Sequence, residues 1–331
     1  MGFAQVTFLF TRSHVRKLGR SNLRTCEYSN PSLPIPTMNS IQFAQTLVNG
    51  IILGGVLSLV ALGFSIVWGI MHVVNLAHGA FIVLGSYITY TLYTSLGIDP
   101  FLGLPLTMIT LFVVGYATER WIIHWVIRAP LMAKFFITFG IGMLLENLIL
   151  QVWKADVRSV TTPYSGASLA IGGVNIPLVK LAALALSILM VIVFHLFLTR
   201  TRQGNAIRST GMDLDAARLT GVKVAPIYAL TFGLSTMLAG AAGSLVSMTT
   251  SFTPDAGARY TVYAFLVSVL GGLGNVPAVL AGGMIIALIQ VFVGFYAPAL
   301  KDAVSFVLLV VLLLLRPQGL FGKPFTSGKA E

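Results

Sequence analysis

From Ile41 to Gly69 the chain carries no charged side chain, and this run decides what solvent it can fold in. Roughly 20 apolar residues are enough for a helix to cross a bilayer. Further runs follow at Val73–Leu96, Phe101–Ala117, Phe135–Trp153, Ile176–Leu198, Pro226–Thr249 and Ala278–Ala297. Tyr260–Leu273 and Ala303–Leu315 are apolar but shorter, and runs of about 10–14 residues can be re-entrant or partly covered by neighbours. The pattern predicts an all-α fold, a polytopic transmembrane helical bundle of roughly eight to ten membrane segments, with about nine as the best single count. Composition agrees. Of 331 residues, 56% are hydrophobic and only 9% charged, against about a quarter charged in a soluble domain. There is too little polar surface here to cover a globule in water.

The 21 basic residues outnumber the 10 acidic ones, and they fall in short segments between the apolar runs, as cytoplasmic loops do under the positive-inside rule. Thr199–Lys223 holds Arg200, Arg202, Arg208, Arg218 and Lys223 and should be cytoplasmic. So should the Glu119–Lys134 connection and the tail with Arg316, Lys323 and Lys329. Ser95–Pro100 has no basic residue and should face outward. About nine segments reconcile these sides and put the start of the bundle outside, with Lys154 and Arg158 on an outer loop as a minor exception. No folded basic module is present, so the positive charge does not indicate nucleic-acid binding.

Residues 1–37 are basic and acid-poor, with Arg12, Arg16, Lys17, Arg20 and Arg24 preceding the first acid, Glu27. That is the composition of a transit peptide, but Met38 stands just before the first apolar run, and a start assigned too far upstream is the simpler reading. The expected division is a leader at 1–37, a membrane domain at 38–322 and a cytoplasmic tail at 323–331. Cys26 is the only cysteine, so no intrachain disulfide and no cysteine metal site can form. The five histidines are scattered. Neither a metal site nor a cofactor is expected.

Four features carry functional information. Gly50 and Gly54 form a G-x-x-x-G, and Ala278 and Gly282 a similar small pair; small residues let helices approach closely in lipid. Asn75-Leu76-Ala77-His78-Gly79 sets two polar side chains three apart early in the second run, which would put them on one helix face. Glu146 lies inside the fourth run, where an acid costs roughly 3 kcal/mol; it must meet a partner, a wet cavity or a proton. Lastly, Gly211-Met212-Asp213-Leu214-Asp215-Ala216-Ala217-Arg218-Leu219-Thr220-Gly221 reads as a short cytoplasmic helix. Asp213 is its N-cap and Gly221 follows its end; Leu214, Ala217 and Leu219 offer a small apolar face, and Asp215 can pair with Arg218. A capped amphipathic helix in a cytoplasmic loop suits docking. No G-x-x-x-x-G-K-[ST] occurs, so the chain has no P-loop for ATP. Gly233-Leu234-Ser235-Thr236-Met237 fails as a nucleophile elbow because Met237 replaces glycine.

In order and spacing, these segments resemble the permease subunits of branched-chain amino acid ABC importers. The resemblance covers Met38 to about Gly322. It rests on Leu47-Val48-Asn49-Gly50-x-x-Leu53-Gly54, Asn75-Leu76-Ala77-His78-Gly79, Ala216-Ala217-x-x-x-Gly221, Gly271-Gly272-Leu273-Gly274-Asn275 and Arg316-Pro317-Gln318-Gly319-Leu320-Phe321-Gly322. It implies a non-enzymatic permease of the bacterial inner membrane. Its loop 199–225 would dock into a cytoplasmic ATPase through Asp213, Asp215, Ala216, Ala217 and Gly221; the family usually has Glu where Asp215 stands. Implied partners are a second permease of the same fold, two ABC ATPase subunits, a periplasmic solute-binding protein and a small solute. Some relatives carry urea or short amides, and the residues do not read out the cargo. Two other readings stay open: a proton-coupled transporter working through Glu146, and an intramembrane enzyme using His78 and Glu146.

Overall fold

The computed structural model describes residues 38–127 and 129–315. The leader at 1–37, the Arg316–Gly322 motif and the tail at 323–331 lie outside the described residues. Each apolar run becomes a helix: α1 (Ser40–Met71), α2 (His78–Leu96), α3 (Pro100–Thr118), α5 (Leu131–Trp153), α6 (Leu178–Arg200), α9 (Val224–Thr249), α10 (Gly257–Gly271), α11 (Val276–Tyr296) and α12 (Lys301–Leu315). Six of the described helices are long and apolar enough to cross a membrane, and the chain is a multi-pass helical membrane protein. α10 and α12 are the shortest of these, at 15 residues each.

α1 and α9 form the centre. Most of their membrane-length windows are buried inside the protein, whereas α3, α5 and α6 stand mainly open. α1 packs on α6, α9, α10 and α11, while α9 packs on α1, α2 and α3. Since lipid is as apolar as leucine, close backbone packing has to hold these helices together. Gly50 and Gly54 provide it where α1 meets α11: a β-carbon on Gly54 would stand 2.9 Å from Met284 Cα, and one on Gly50 3.3 Å from Leu288 Cα.

The structure departs from the sequence reading in four places. The third run does not end at Ala117. α3 continues through a π-helical turn at Glu119–Ile123 into α4 (His124–Val126), a continuous helix from Pro100 to Val126. α2 starts at His78, leaving Asn75 in the connection rather than on a shared helix face. The basic loop holds an additional helix, α7 (Arg202–Met212), whose N-cap Thr201 accepts a hydrogen bond from the Gly204 amide. Finally, the segment after α5, expected to be a plain loop, contains an antiparallel hairpin of β1 (Ser168–Ile171) and β2 (Val174–Pro177). Its turn is Gly172-Gly173, both at positive φ, the backbone that two-residue hairpin loops require.

That connection is tied down at several points. Gln45 of α1 grips the Asn175 backbone, accepting from its amide at 2.8 Å and donating to its carbonyl at 3.0 Å. Arg158 pairs with Phe252 through both backbone groups, and its guanidinium reaches the Tyr90 hydroxyl and the Asp156 carboxylate. The Tyr164 hydroxyl donates to Asp99 at 2.7 Å. Burial, and then this carboxylate partner, push the phenol up to about 12, so it remains a donor throughout the neutral range.

Candidate functional site

The basic loop presents one element with little of its own chain over it. α8 (Leu214–Leu219) is a six-residue helix following α7. Asp213 caps it, its Oδ1 accepting from the amides of Asp215 at 2.9 Å and Ala216 at 3.0 Å. Arg218 pairs with Asp215 at 3.1 Å. At the far end Gly221, at φ +86°, lets the Val222 amide reach the Ala217 carbonyl at 3.1 Å. That backbone turn closes the helix as a left-handed C-terminal cap does.

The side chains do not share one apolar face. Ala217 is 3% exposed and points into the protein, Leu214 is half-buried, and Leu219 is 89% exposed. Met212, at the end of α7, is 81% exposed. Ala217 therefore seats α8 on its own chain, and the residues it leaves exposed here are Met212, Ala216 and Leu219. A shallow notch lined by Ser209, Met212, Asp213, Ala216, Ala217 and Thr220 lies beside it. α7 is rooted through Ile207, wholly buried, and Gly211, whose missing β-carbon would stand 3.2 Å from Ile70.

The second group lies within the bundle. Asn75 and His78 are both wholly buried. His78 Nε2 donates to the Val60 carbonyl at 2.8 Å, so Nδ1 is left as the acceptor. Asn75 Oδ1 accepts from the Ala77 amide. Thr261 accepts from the Gly79 amide at 2.9 Å, and Thr138 donates to the Val74 carbonyl at 3.0 Å. The Asn75–Gly79 segment is therefore a knot pinned to α1, α5 and α10. Among the described residues, Asn75 Nδ2, His78 Nδ1 and Ser235 Oγ are buried there without a partner.

Glu146 is not part of that knot. It lies half-buried on α5 and makes no hydrogen bond or ion pair among the described residues. A different acid is the buried one. Glu119, read from the sequence as the start of a cytoplasmic connection, is 0% exposed within the π turn. Among the described residues neither of its oxygens has a hydrogen-bond partner, with His124 Nδ1 3.8 Å away. π turns inside α-helices often mark functional positions, but the turn itself left no signal in the sequence.

The Gly271–Asn275 segment closes the C-terminal end of α10 against α1. Gly271 packs on Ala278, where a β-carbon would meet the backbone at 2.5 Å. Gly272 and Gly274 take φ +94° and +75°, and the Gly274 amide donates to Ser65 at 2.9 Å.

Comparison with known proteins bears on all of these segments. The permease protein BraD of a high-affinity branched-chain amino acid transport system in Pseudomonas aeruginosa is 29% identical over 299 residues, 85% of this chain and 96% of its own length. The corresponding LivH protein of Escherichia coli is 28% identical over 301 residues, 86% and 97% of the two chains. A probable branched-chain amino acid permease, LivH of Methanocaldococcus jannaschii, is 26% identical over 288 residues, 83% and 91%. No solved structure matches. The family model described as branched-chain amino acid transport system, permease component, matches residues 46–313, which take in the glycine contacts of α1, the buried knot and the α7–α8 protrusion. The chain belongs to this family of membrane transport permeases.

Proposed function

We propose that this chain is the translocation subunit of an ATP-driven ABC importer. It would move branched-chain amino acids, or related small amino-acid-like solutes, inward by alternating access. ATP would be hydrolysed by two partner ATPase subunits. A second permease of the same fold and a periplasmic solute-binding protein would complete the assembly in the bacterial inner membrane. In this reading about nine helices, α1–α3, α5, α6 and α9–α12, take membrane positions, with α7 and α8 on the cytoplasmic side.

The observation that carries the proposal is α8. It is capped at both ends, seated on its own chain through Ala217, and presents Leu219 to solvent beside the exposed Met212 of α7 in the most basic loop of the bundle. Apolar side chains held out on a rigid, protruding element mark a contact for a protein that stays outside the membrane. Ala217→Glu would wreck the seat of α8 within the chain, so it cannot report on docking alone. Leu219→Glu changes only the exposed surface. It should leave the permease in the membrane at normal abundance, while ATPase recovery in mild detergent and solute uptake fall together by tenfold or more. Normal recovery and uptake at matched permease levels would remove α8 from the coupling role.

A further inference from the structure

Among the described residues α3, α5, α6 and α12 each leave a face open, and that of α5 differs chemically from the other three. Outward residues of α3 include Leu102, Leu106, Ile109 and Val113; those of α6 include Leu189, Ile192 and Val193; those of α12 include Phe306, Val307 and Val310. Lipid chains cover such faces at no cost. The open side of α5 carries Phe136, Gly140, Leu144, Asn147 and Gln151, all exposed. Their spacing of three or four residues puts them in a single stripe. Glu146 lies on the flank of that stripe. Asn147 and Glu146 fall within about 8 Å of the middle of α5 along its axis, and Gln151 within about 14 Å, so all three lie at hydrocarbon depth.

Among the described residues these polar groups are not satisfied. Asn147 donates to the Met143 carbonyl of its own helix at 2.7 Å, which leaves its side-chain oxygen free. Among the described residues neither Glu146 nor Gln151 has a side-chain partner. α5 leans chiefly on α2, through the opposite side of the helix, where Thr138, Leu145 and Ile149 are buried. Gly140 has nothing within 4 Å of where its β-carbon would be, so another backbone could come close there.

We infer that the Gly140–Asn147–Gln151 stripe of α5 is the surface on which a second permease chain of the same helical fold packs, with Glu146 at the edge of that contact. Only a protein embedded in the membrane can reach this depth, which excludes the ATPases and the solute-binding protein. Carboxamides both donate and accept, so a similar face on the second chain would be complementary without a matching charge. Polar side chains and small residues are the two devices that join helices in lipid. The inference rests on the importer reading and gives its second permease an address.

The test places a photo-crosslinking amino acid, p-benzoylphenylalanine, at Asn147 in the full chain expressed in its native membrane with its transport system. Leu106, Ile192 and Val310 serve as control sites. Mass spectrometry of the adducts should find peptides of a second permease chain from position 147 and lipid alone from the controls. In parallel, a double variant, Asn147→Leu with Gln151→Leu, should insert normally but recover about tenfold less of the second permease. Lipid-only adducts at 147, adducts with a permease from a control face instead, or unchanged recovery of the pair by the double variant would each overturn the inference. ATPase copurification with the unmodified chain separates this outcome from the parent reading. If ATPase is recovered while position 147 sees only lipid, the α5 interface is wrong and the importer assignment stands; if no ATPase is recovered, the importer assignment fails.

Discussion

Gly79 and Gly140 are both glycines in membrane helices, yet the structure gives them opposite consequences. A β-carbon on Gly79 would run into the Gly257 carbonyl and lie 2.6 Å from Thr261 Oγ1, whereas one on Gly140 would meet nothing within 4 Å. Gly79→Ala must push α2 away from α10 and disturb the hydrogen bond from the Gly79 amide to Thr261. We expect a loss of about 1–3 kcal/mol, the usual cost of overpacking, seen as a lower melting point in detergent and lower membrane abundance. Gly140→Ala should leave the melting point of the isolated chain unchanged. Asn75 and His78 were legible in the sequence as unusual residues, but their surroundings were not. Their role as a knot depends on the Val60 carbonyl, Thr138 and Thr261, which are distant in the chain and carry no shared motif. Glu119 illustrates the same limit: a charge next to Arg120 at the end of an apolar run looks like an interfacial residue until the π turn rotates it inward.

At the scale of elements, the apolar helices were readable because length without charge suffices to find them. The features that were missed have weaker signals. α7 is short and polar, so the basic loop showed only its α8 portion, although Thr201 preceding Gly204 was a usable N-cap. The hairpin had its Gly172-Gly173 turn in the sequence, flanked by runs of only four residues, too short to register against a membrane background. α8 can be tested for its caps. Asp213→Ala removes two hydrogen bonds from the start of the helix and should cost about 1 kcal/mol locally. Gly221→Val forces a β-branched residue to φ +86° and should cost about 1–2 kcal/mol. Both variants should insert normally, as neither residue packs between helices. Each should reduce ATPase recovery more mildly than Leu219→Glu, because the contact surface survives while its rigidity does not. If either matched wild type in recovery at equal abundance, the caps would be shown not to matter for docking.

For the whole molecule, burial falls from centre to rim: α1 and α9 are enclosed, while α3, α5 and α6 are largely open. Sequence alone could not rank them, since helices that are apolar all round show no face, and the ranking comes from contacts between distant segments. Amide exchange in detergent should follow it. α1 and α9 should exchange only on global unfolding and α5 far sooner, because local opening is easiest where few contacts are lost. Equal protection of α5 and α9 in the isolated chain would contradict this ranking. α1 also has a mechanical consequence. It is about 48 Å long at 1.5 Å per residue. Near its C-terminal end Gly69 and Ile70 bear on Gly211 of α7, and Gly69 on Gly274; near its N-terminal end Gln45 holds the hairpin backbone at Asn175. A strut gripped at both tips and clamped along its middle by α9 and α11 cannot yield at one end alone. A displacement of α7 would therefore have a direct route along α1, as tilt or rotation, to the hairpin at its other end.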